Sequence, residues 1–199
     1  MIRIGSWAGQ SSILWAKLFK ENKCGKLICI DPWQPYISEH NIGNTSNVLR
    51  MENALRKNKV FPLFLHNTRS AKVDDFIITI RAKSADELPL FSNKSMDIIY
   101  VDGAHYHSNI IGDLRAAARL VKEDVILCGD DLEKQFDEVD LDHALENKEK
   151  DFITDPNINQ GFHPGVTIAI HEFFEKRVTN YNGFWAMMKK NNEWEEVIL

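Results

Sequence analysis

Positive charge is in short supply in this chain. Its 199 residues carry 24 Lys and Arg against 29 Asp and Glu, a net charge of −5. A protein whose main work is gripping nucleic-acid phosphates needs the opposite balance, so nucleic acid is not an expected partner. Cysteine is scarce too. Cys24, Cys29 and Cys128 are odd in number and lack metal-ligand spacing, and the latter two sit inside apolar runs. They read as core thiols of a reducing, cytoplasmic setting, not as a disulfide or a zinc site. No run approaches the ~20 apolar residues of a membrane span. A secretory leader is also missing, because Arg3 and Gly5 interrupt any apolar start. There is no internal repeat, no low-complexity tract, no nucleophile-elbow serine and no reactive cysteine. With 44% hydrophobic and 27% charged residues, the chain suits one globular domain with a substantial core.

What the chain does have begins at once. Ile2-Arg3-Ile4 reads as a short strand, Gly5-Ser6-Trp7-Ala8-Gly9 as a glycine turn, and Ser11 to Asn22 as a helix. Ser11 or Ser12 is a candidate cap for that helix. Its apolar stripe is Ile13, Leu14, Ala16, Leu18 and Phe19, and Cys24-Gly25 ends it. A strand–glycine–helix unit gathers backbone N–H groups and a partial positive charge at one point, which suits a polar or anionic ligand. The turn lacks the three-glycine spacing of dinucleotide-binding folds, and no second mononucleotide half follows, which argues against a dehydrogenase. If the opening strand is central in a sheet, nothing precedes it to cover one face. The chain is then either a short form or a homo-oligomer whose partner subunit covers that face.

Lys26 to Ile30 is a continuous apolar run, the mark of a strand buried on both faces, and it ends on Asp31-Pro32-Trp33. Asp31 lies roughly 20 residues past the glycine turn, where an acid accepts hydrogen bonds from ribose hydroxyls; capping the next turn is the plainer alternative. A loop from Pro35 to Thr45 leads to a helix from Ser46 to about Lys59 and another over Phe61–Ala71. Phe76–Ile80 is a strand, followed by Ser84 with Glu87 three residues on, a capping-box pattern. Ser95–Val101 is another buried strand and again ends on an acid, in Asp102-Gly103-Ala104-His105-Tyr106-His107. A helix follows from about Ser108 to Val121, with Ile110, Ile111, Leu114, Ala117, Ala118 and Val121 inward. The run from Asp124 to Cys128 is a further strand, ending on Gly129-Asp130-Asp131.

Glu133–Asp155 is charge-rich and weakly periodic, too long for an ordinary loop. A lid or substrate-covering insertion at 133–163 and a solvated helix–loop excursion are both compatible with it. Val166–Lys176 is an amphipathic helix, and Gly183–Lys189 and Trp194–Leu199 form a terminal hairpin. In open α/β sheets ligands bind beyond the carboxyl ends of the strands. Here those ends carry Gly5, Asp31, Asp102 and the Asp130/Asp131 pair.

These motifs, in this order, together with Pro-Gly-Val-Thr-Ile-Ala-Ile-His-Glu-Phe-Phe at 164–174, resemble the class I S-adenosylmethionine-dependent methyltransferases. The resemblance is nearest to the small-molecule and sugar O-methyltransferase branch that includes macrocin-type and cephalosporin-hydroxylase-like proteins. It implies an α/β, three-layer, doubly wound Rossmann-like sheet, mostly parallel, with a C-terminal antiparallel hairpin. Gly5, Ser6, Gly9 and Ser11 would then lie on the methionine side of S-adenosyl-L-methionine, Asp31 at its ribose and Ser84 near its adenine. Asp102 would face the methionine end or the reaction centre. In metal-dependent members of the branch, acids at the positions of Asp102, Asp130 and Asp131 hold magnesium, which would acidify a substrate hydroxyl for His105 to deprotonate, with His107 as second candidate. The expected substrate is a small molecule, a sugar or glycan among them.

Two positions depart from the branch. Arg3 stands where an acid usually precedes the first glycine, and Ala104 where some members have a second acid acting as base. Asp130/Asp131 also read as a helix cap. A non-catalytic S-adenosylmethionine-binding or regulatory protein of the same fold is therefore the alternative function.

Overall fold

The computed structural model describes residues 1–37 and 46–197. The chain divides into two compact units, Met1–Glu87 and Leu88–Leu199.

In the first unit, β1 (Ile2–Ile4), α1 (Gln10–Glu21) and β2 (Leu27–Ile30) follow one another as the apolar pattern predicts. They are followed by α2 (Ser46–Arg56), α3 (Val60–Ser70), β3 (Ile77–Ile80) and the single turn α4 (Ser84–Glu87). The strands β1, β2 and β3 are adjacent and parallel, with Ile2 opposite Ile28 and Cys29 opposite Thr79. Ile2, Ile4, Leu27, Cys29 and Ile30 are buried, as strands covered on both faces require. Two local expectations differ. No serine side chain caps α1; Gly9 is its N-cap, in a left-handed conformation at φ 92°. Of the predicted apolar stripe, Leu14 and Leu18 are exposed and Ala16 is buried; Ser12, outside the stripe, is buried too. The helix packs through small residues, which let its backbone come close to the strands. Ser84 opens α4 as its first residue; Lys83 O accepts from Asp86 and Glu87. Most of the predicted loop over Pro35–Thr45 lies outside the described residues.

The second unit begins with β4 (Met96–Val101), α5 (His107–Leu120) and β5 (Val121–Leu132). The charge-rich segment holds α6 (Leu141–Glu146) and a two-residue strand pair, β6 (Ile153–Thr154) and β7 (Gly161–Phe162). Then come α7 (Pro164–Phe174), β8 (Thr179–Tyr181), β9 (Gly183–Lys190) and β10 (Glu193–Glu196). β4 and β5 are parallel; β5 pairs antiparallel with β9, and β9 with β10. The architecture is thus the expected Rossmann-like α/β type, parallel strands closed by a C-terminal antiparallel pair. β8, which also pairs with β9, had no clear signal, because three residues are too few for an alternation. The 133–163 segment carries a small core of its own. Ala144 and Phe162 are fully buried and pack with Ile168 of α7, with Phe136, Val139 and Ile153 around them. α7 is buried along most of its length, so its amphipathic reading was too polar.

Candidate active site

The first unit carries the glycine turn. Gly5 (φ 75°), Trp7 (φ 46°) and Gly9 (φ 92°) all take left-handed backbone conformations, which glycine adopts freely and tryptophan does not. The strain at Trp7 is held by neighbours. Asp31, at the end of β2, reaches back so that its Oδ2 accepts the N–H groups of Ser6 at 2.7 Å and Trp7 at 3.0 Å. Its Oδ1 accepts the N–H of Trp33 at 2.6 Å. Trp33 Nε1 donates to Trp7 O at 2.8 Å, and the buried indole packs between Phe61 and Phe64. Asn67 Nδ2 donates to Ala8 O at 2.8 Å. A Cβ on Gly9 would meet the Phe64 ring at 3.0 Å. The turn is therefore clamped by α3 from one side and by Asp31 from the other. A carboxylate offers about four lone-pair positions, and three backbone N–H groups occupy three of them, which leaves Oδ1 one more acceptor direction.

Arg3 is buried in β1, and its guanidinium donates to Ser11 Oγ. The unexpected cation thus engages one of the predicted cofactor residues from behind the turn. Ser84 stands just beyond β3, at the start of α4. Ile80 O, at the end of β3, accepts the Asp31 N–H at 3.2 Å.

The second unit gathers acids and histidines. Asp102 follows β4 and Asp130/Asp131 lie near the end of β5, as predicted. Asp102 and Asp131 stand within hydrogen-bonding reach of each other. Asp130 Oδ2 accepts from the Tyr100 hydroxyl at 3.2 Å, and its Oδ1 accepts the Asp131 N–H at 3.1 Å. Neither acid caps a helix; Gln135 and Glu138 do that for the short turn at Phe136–Glu138. Asp131 is itself left-handed, at φ 66°, a strain that persists only where surroundings fix it.

His105 lies between two carboxylates. Its Nε2 is 3.0 Å from Asp131 Oδ2 and its Nδ1 2.9 Å from Asp151 Oδ1. Burial alone would lower its pKa, but the two carboxylates outweigh burial and raise it to about 10. In turn, burial of Asp131 is outweighed by His105 and His163, and its carboxyl is held below the usual range. With both ring nitrogens bound to acids, His105 is an imidazolium with no lone pair to offer. His107, the second candidate base, is taken by Glu172 at 2.8 Å.

Three further residues join this cluster, two of them unmarked in the sequence (Asp151 and Glu133) and one, His163, expected to be structural. His163 Nδ1 is 2.9 Å from Glu133 Oε1 and 3.9 Å from Asp131 Oδ1. Its ring meets that of His105 edge-on, with centroids 4.2 Å apart. Asp151 and Glu133 lie in the charge-rich segment, where one acid among many gives no signal; His163 had one, the His-Pro-Gly that opens α7. Gly165 explains the meeting. A Cβ there would lie 2.2 Å from His105 O, 2.5 Å from His107 N and 2.7 Å from Lys148 O. Only glycine lets these three backbones touch.

The methyltransferase-domain family matches residues 2–132, and the chain belongs to that family. No curated protein matches the sequence. Among solved structures, the O-methyltransferase NovP is 14% identical with a TM-score of 0.63, over 96% of this chain and 72% of that one. The O-methyltransferase TomG from Streptomyces achromogenes, involved in tomaymycin synthesis and solved with SAM, is 16% identical with a TM-score of 0.53, over 96% and 72%. CalS11, a TDP-rhamnose 3'-O-methyltransferase in calicheamicin biosynthesis, is 11% identical with a TM-score of 0.51, over 94% and 70%. The shared fold is that of the class I S-adenosylmethionine-dependent methyltransferases.

Proposed function

We propose that this chain transfers the methyl group of S-adenosyl-L-methionine to a hydroxyl oxygen of a small molecule, with sugars as the leading substrate class. The observation that carries the cofactor is the clamped turn. Gly5 and Gly9 hold the backbone where a ligand can approach closely, and Asp31 keeps an acceptor for a ribose hydroxyl while fixing that turn. Gly5, Ser6, Gly9, Ser11, Asp31, Ser84 and Asp102 are the proposed cofactor residues. Bound there, the cofactor supplies an electrophilic methyl on a sulfonium. The O-methyltransferase neighbours, one of them acting on a sugar nucleotide, support the oxygen acceptor and the sugar class. Residues 1–199 serve as one methyltransferase domain, with 133–163 shaping the substrate.

Methyl transfer is an in-line displacement that asks for alignment and removal of one proton, without a covalent nucleophile. The doubly bonded imidazolium makes His105 a positioning group for Asp131, not the base. Asp102, within hydrogen-bonding reach of Asp131, is proposed to face the methyl-transfer centre. The three-acid magnesium shell does not fit this arrangement. Magnesium takes oxygen donors and retains water, whereas Asp130 is turned to Tyr100 and Asp131 faces imidazole nitrogens.

Calorimetric titration with S-adenosylmethionine and with S-adenosylhomocysteine tests the reading, followed by methyl transfer to a panel of sugar nucleotides and other hydroxylated small molecules. Absence of binding by both cofactor forms overturns it. Binding without transfer to any hydroxyl acceptor favours the regulatory alternative.

A further inference from the structure

The cluster around Asp131 has a chemistry of its own. Two imidazoles from separate elements, His105 before α5 and His163 before α7, converge on one carboxylate. One donor atom from each of His105, Asp131 and His163 lies within 4.8 Å of the others. The nearest approaches, 3.0 Å from His105 Nε2 to Asp131 Oδ2 and 3.9 Å from His163 Nδ1 to Asp131 Oδ1, are of the order of the ~3.4 Å between ligands of a tetrahedral ion with bonds near 2.1 Å. The side chains are sheltered but reachable, with 16%, 26% and 12% of their surfaces exposed.

A second observation points the same way. Asp151 holds the far nitrogen of His105 at 2.9 Å, the carboxylate–histidine arrangement that fixes tautomer and ring orientation in metal sites. The backbone contacts at Gly165 bring the two histidines together.

We propose that His105 Nε2 and His163 Nδ1, each releasing its proton to solvent as the ion binds, and Asp131 are the protein ligands of a site for a borderline divalent ion of the zinc class, with one coordination position open. Mixed nitrogen and oxygen donors select such ions over magnesium. Glu133, which accepts from His163 Nδ1 at 2.9 Å, gives up that contact when Nδ1 loses its proton to solvent and binds the ion. This inference stands on the cluster alone and does not rest on the methyltransferase reading.

The test uses the full chain, stripped with chelator and titrated with Co²⁺ as a spectroscopic probe. One equivalent should give the intense visible bands of a four- or five-coordinate, nitrogen-ligated ion. Zn²⁺ should displace it, and a large excess of Mg²⁺ should not. His163→Ala and His163→Gln should each abolish the bands, and Asp151→Asn should weaken binding roughly 10- to 100-fold, with far-UV circular dichroism unchanged. Weak six-coordinate spectra, displacement by Mg²⁺ as readily as by Zn²⁺, or wild-type affinity in both folded His163 variants would each overturn the proposal. Because no S-adenosylmethionine is present, failure of cofactor binding and failure of the metal site are separate results.

Discussion

Asp31 closes the turn that lies before it in the chain: its Oδ2 accepts the Ser6 N–H at 2.7 Å and the Trp7 N–H at 3.0 Å. The acid expected either at a ribose or as a turn cap thus fixes the glycine turn itself. Asp31→Ala should lose stability as well as affinity. Removing a partly buried carboxylate with three N–H partners costs about 2 kcal/mol, a fall of roughly 4–8 °C in melting temperature for a chain of this size. S-adenosylmethionine affinity should drop at least ~10-fold, by analogy with the loss of a well-placed charged acceptor. Asp31→Asn, which keeps one carbonyl acceptor, should fall between. An Asp31→Ala protein with wild-type melting would show that the clamp carries no energy.

Two glycines should respond with opposite signs. A Cβ on Gly129 would lie 2.4 Å from Val101 O and 2.6 Å from the Trp185 ring, and neither backbone nor a buried indole can move aside cheaply. Gly129→Ala should destabilise by about 1–3 kcal/mol or more. Gly112 sits inside α5 with nothing within 4 Å of its would-be Cβ. Gly112→Ala should stabilise by about 0.5–1 kcal/mol, through a smaller loss of backbone entropy. Chemical denaturation of the two variants checks both signs.

The parts legible in the sequence were those with a local cause. Buried strands announced themselves as apolar runs, their ends by Asp31, Asp102 and Asp130, and α5 by its periodic Ile110, Leu114 and Ala117, all buried as predicted. The partnerships were not legible, because they depend on tertiary approach. Nothing near His105 in sequence reveals that Asp131 and Asp151 take its two nitrogens, which changes it from a base into a cation. Arg3 looked like a defect in a cofactor motif, and its contact with Ser11 could be read only once the chain had turned back on itself. The 133–163 segment hid its core for a similar reason: Phe136, Ala144 and Phe162 are spaced by no regular period.

The His105 network gives a pH dependence with a definite sign. Its folded pKa is about 10, against ~6.5 for an exposed histidine. Its contribution is therefore fully present below about pH 6.5 and is lost as pH rises toward 10. Asp131, with its carboxyl held low, contributes above the ordinary carboxylate range and loses that as pH falls. Metal-free protein should thus lose stability between pH 6.5 and 10. His105→Gln should flatten that decline, as measured by urea midpoints across the range. A slope identical in the two proteins would place the titration elsewhere.

Thiol chemistry offers a simple check on the core. Cys24 is exposed, whereas Cys29 and Cys128 are buried. Burial raises both thiols, Cys128 to about 12, and the thiolate is the reactive form. A colorimetric thiol reagent at pH 8 should modify one cysteine in the native chain and all three after denaturation, and Cys24→Ser should abolish the native reaction.

Asp155 is the residue on which the 133–163 segment turns. It is fully buried, and its carboxylate accepts the backbone N–H groups of Asp140 at 2.6 Å, Asn157 at 2.8 Å and Ile158 at 3.1 Å. Burial would raise its pKa, but these donors prevail and hold it below the ordinary value. Asp140 in turn caps α6 by accepting the His143 N–H at 3.0 Å, so one acid orders both the helix entry and the turn after β6. Asp155→Ala would remove the acceptor shared by three backbone N–H groups, two of them on the exposed Asn157 and Ile158, at about 1–2 kcal/mol in all because water can reach those donors. The segment should respond by opening locally, because its own core is small while α5, β4 and β5 keep theirs. Hydrogen exchange should speed up across 136–163 and stay protected in β4 and β5. Because Asp151 and Glu133 belong to the same segment, Co²⁺ binding should weaken in this variant although no ligand has been removed. Uniform loss of protection across the second unit would show instead that the segment and the strands unfold as one.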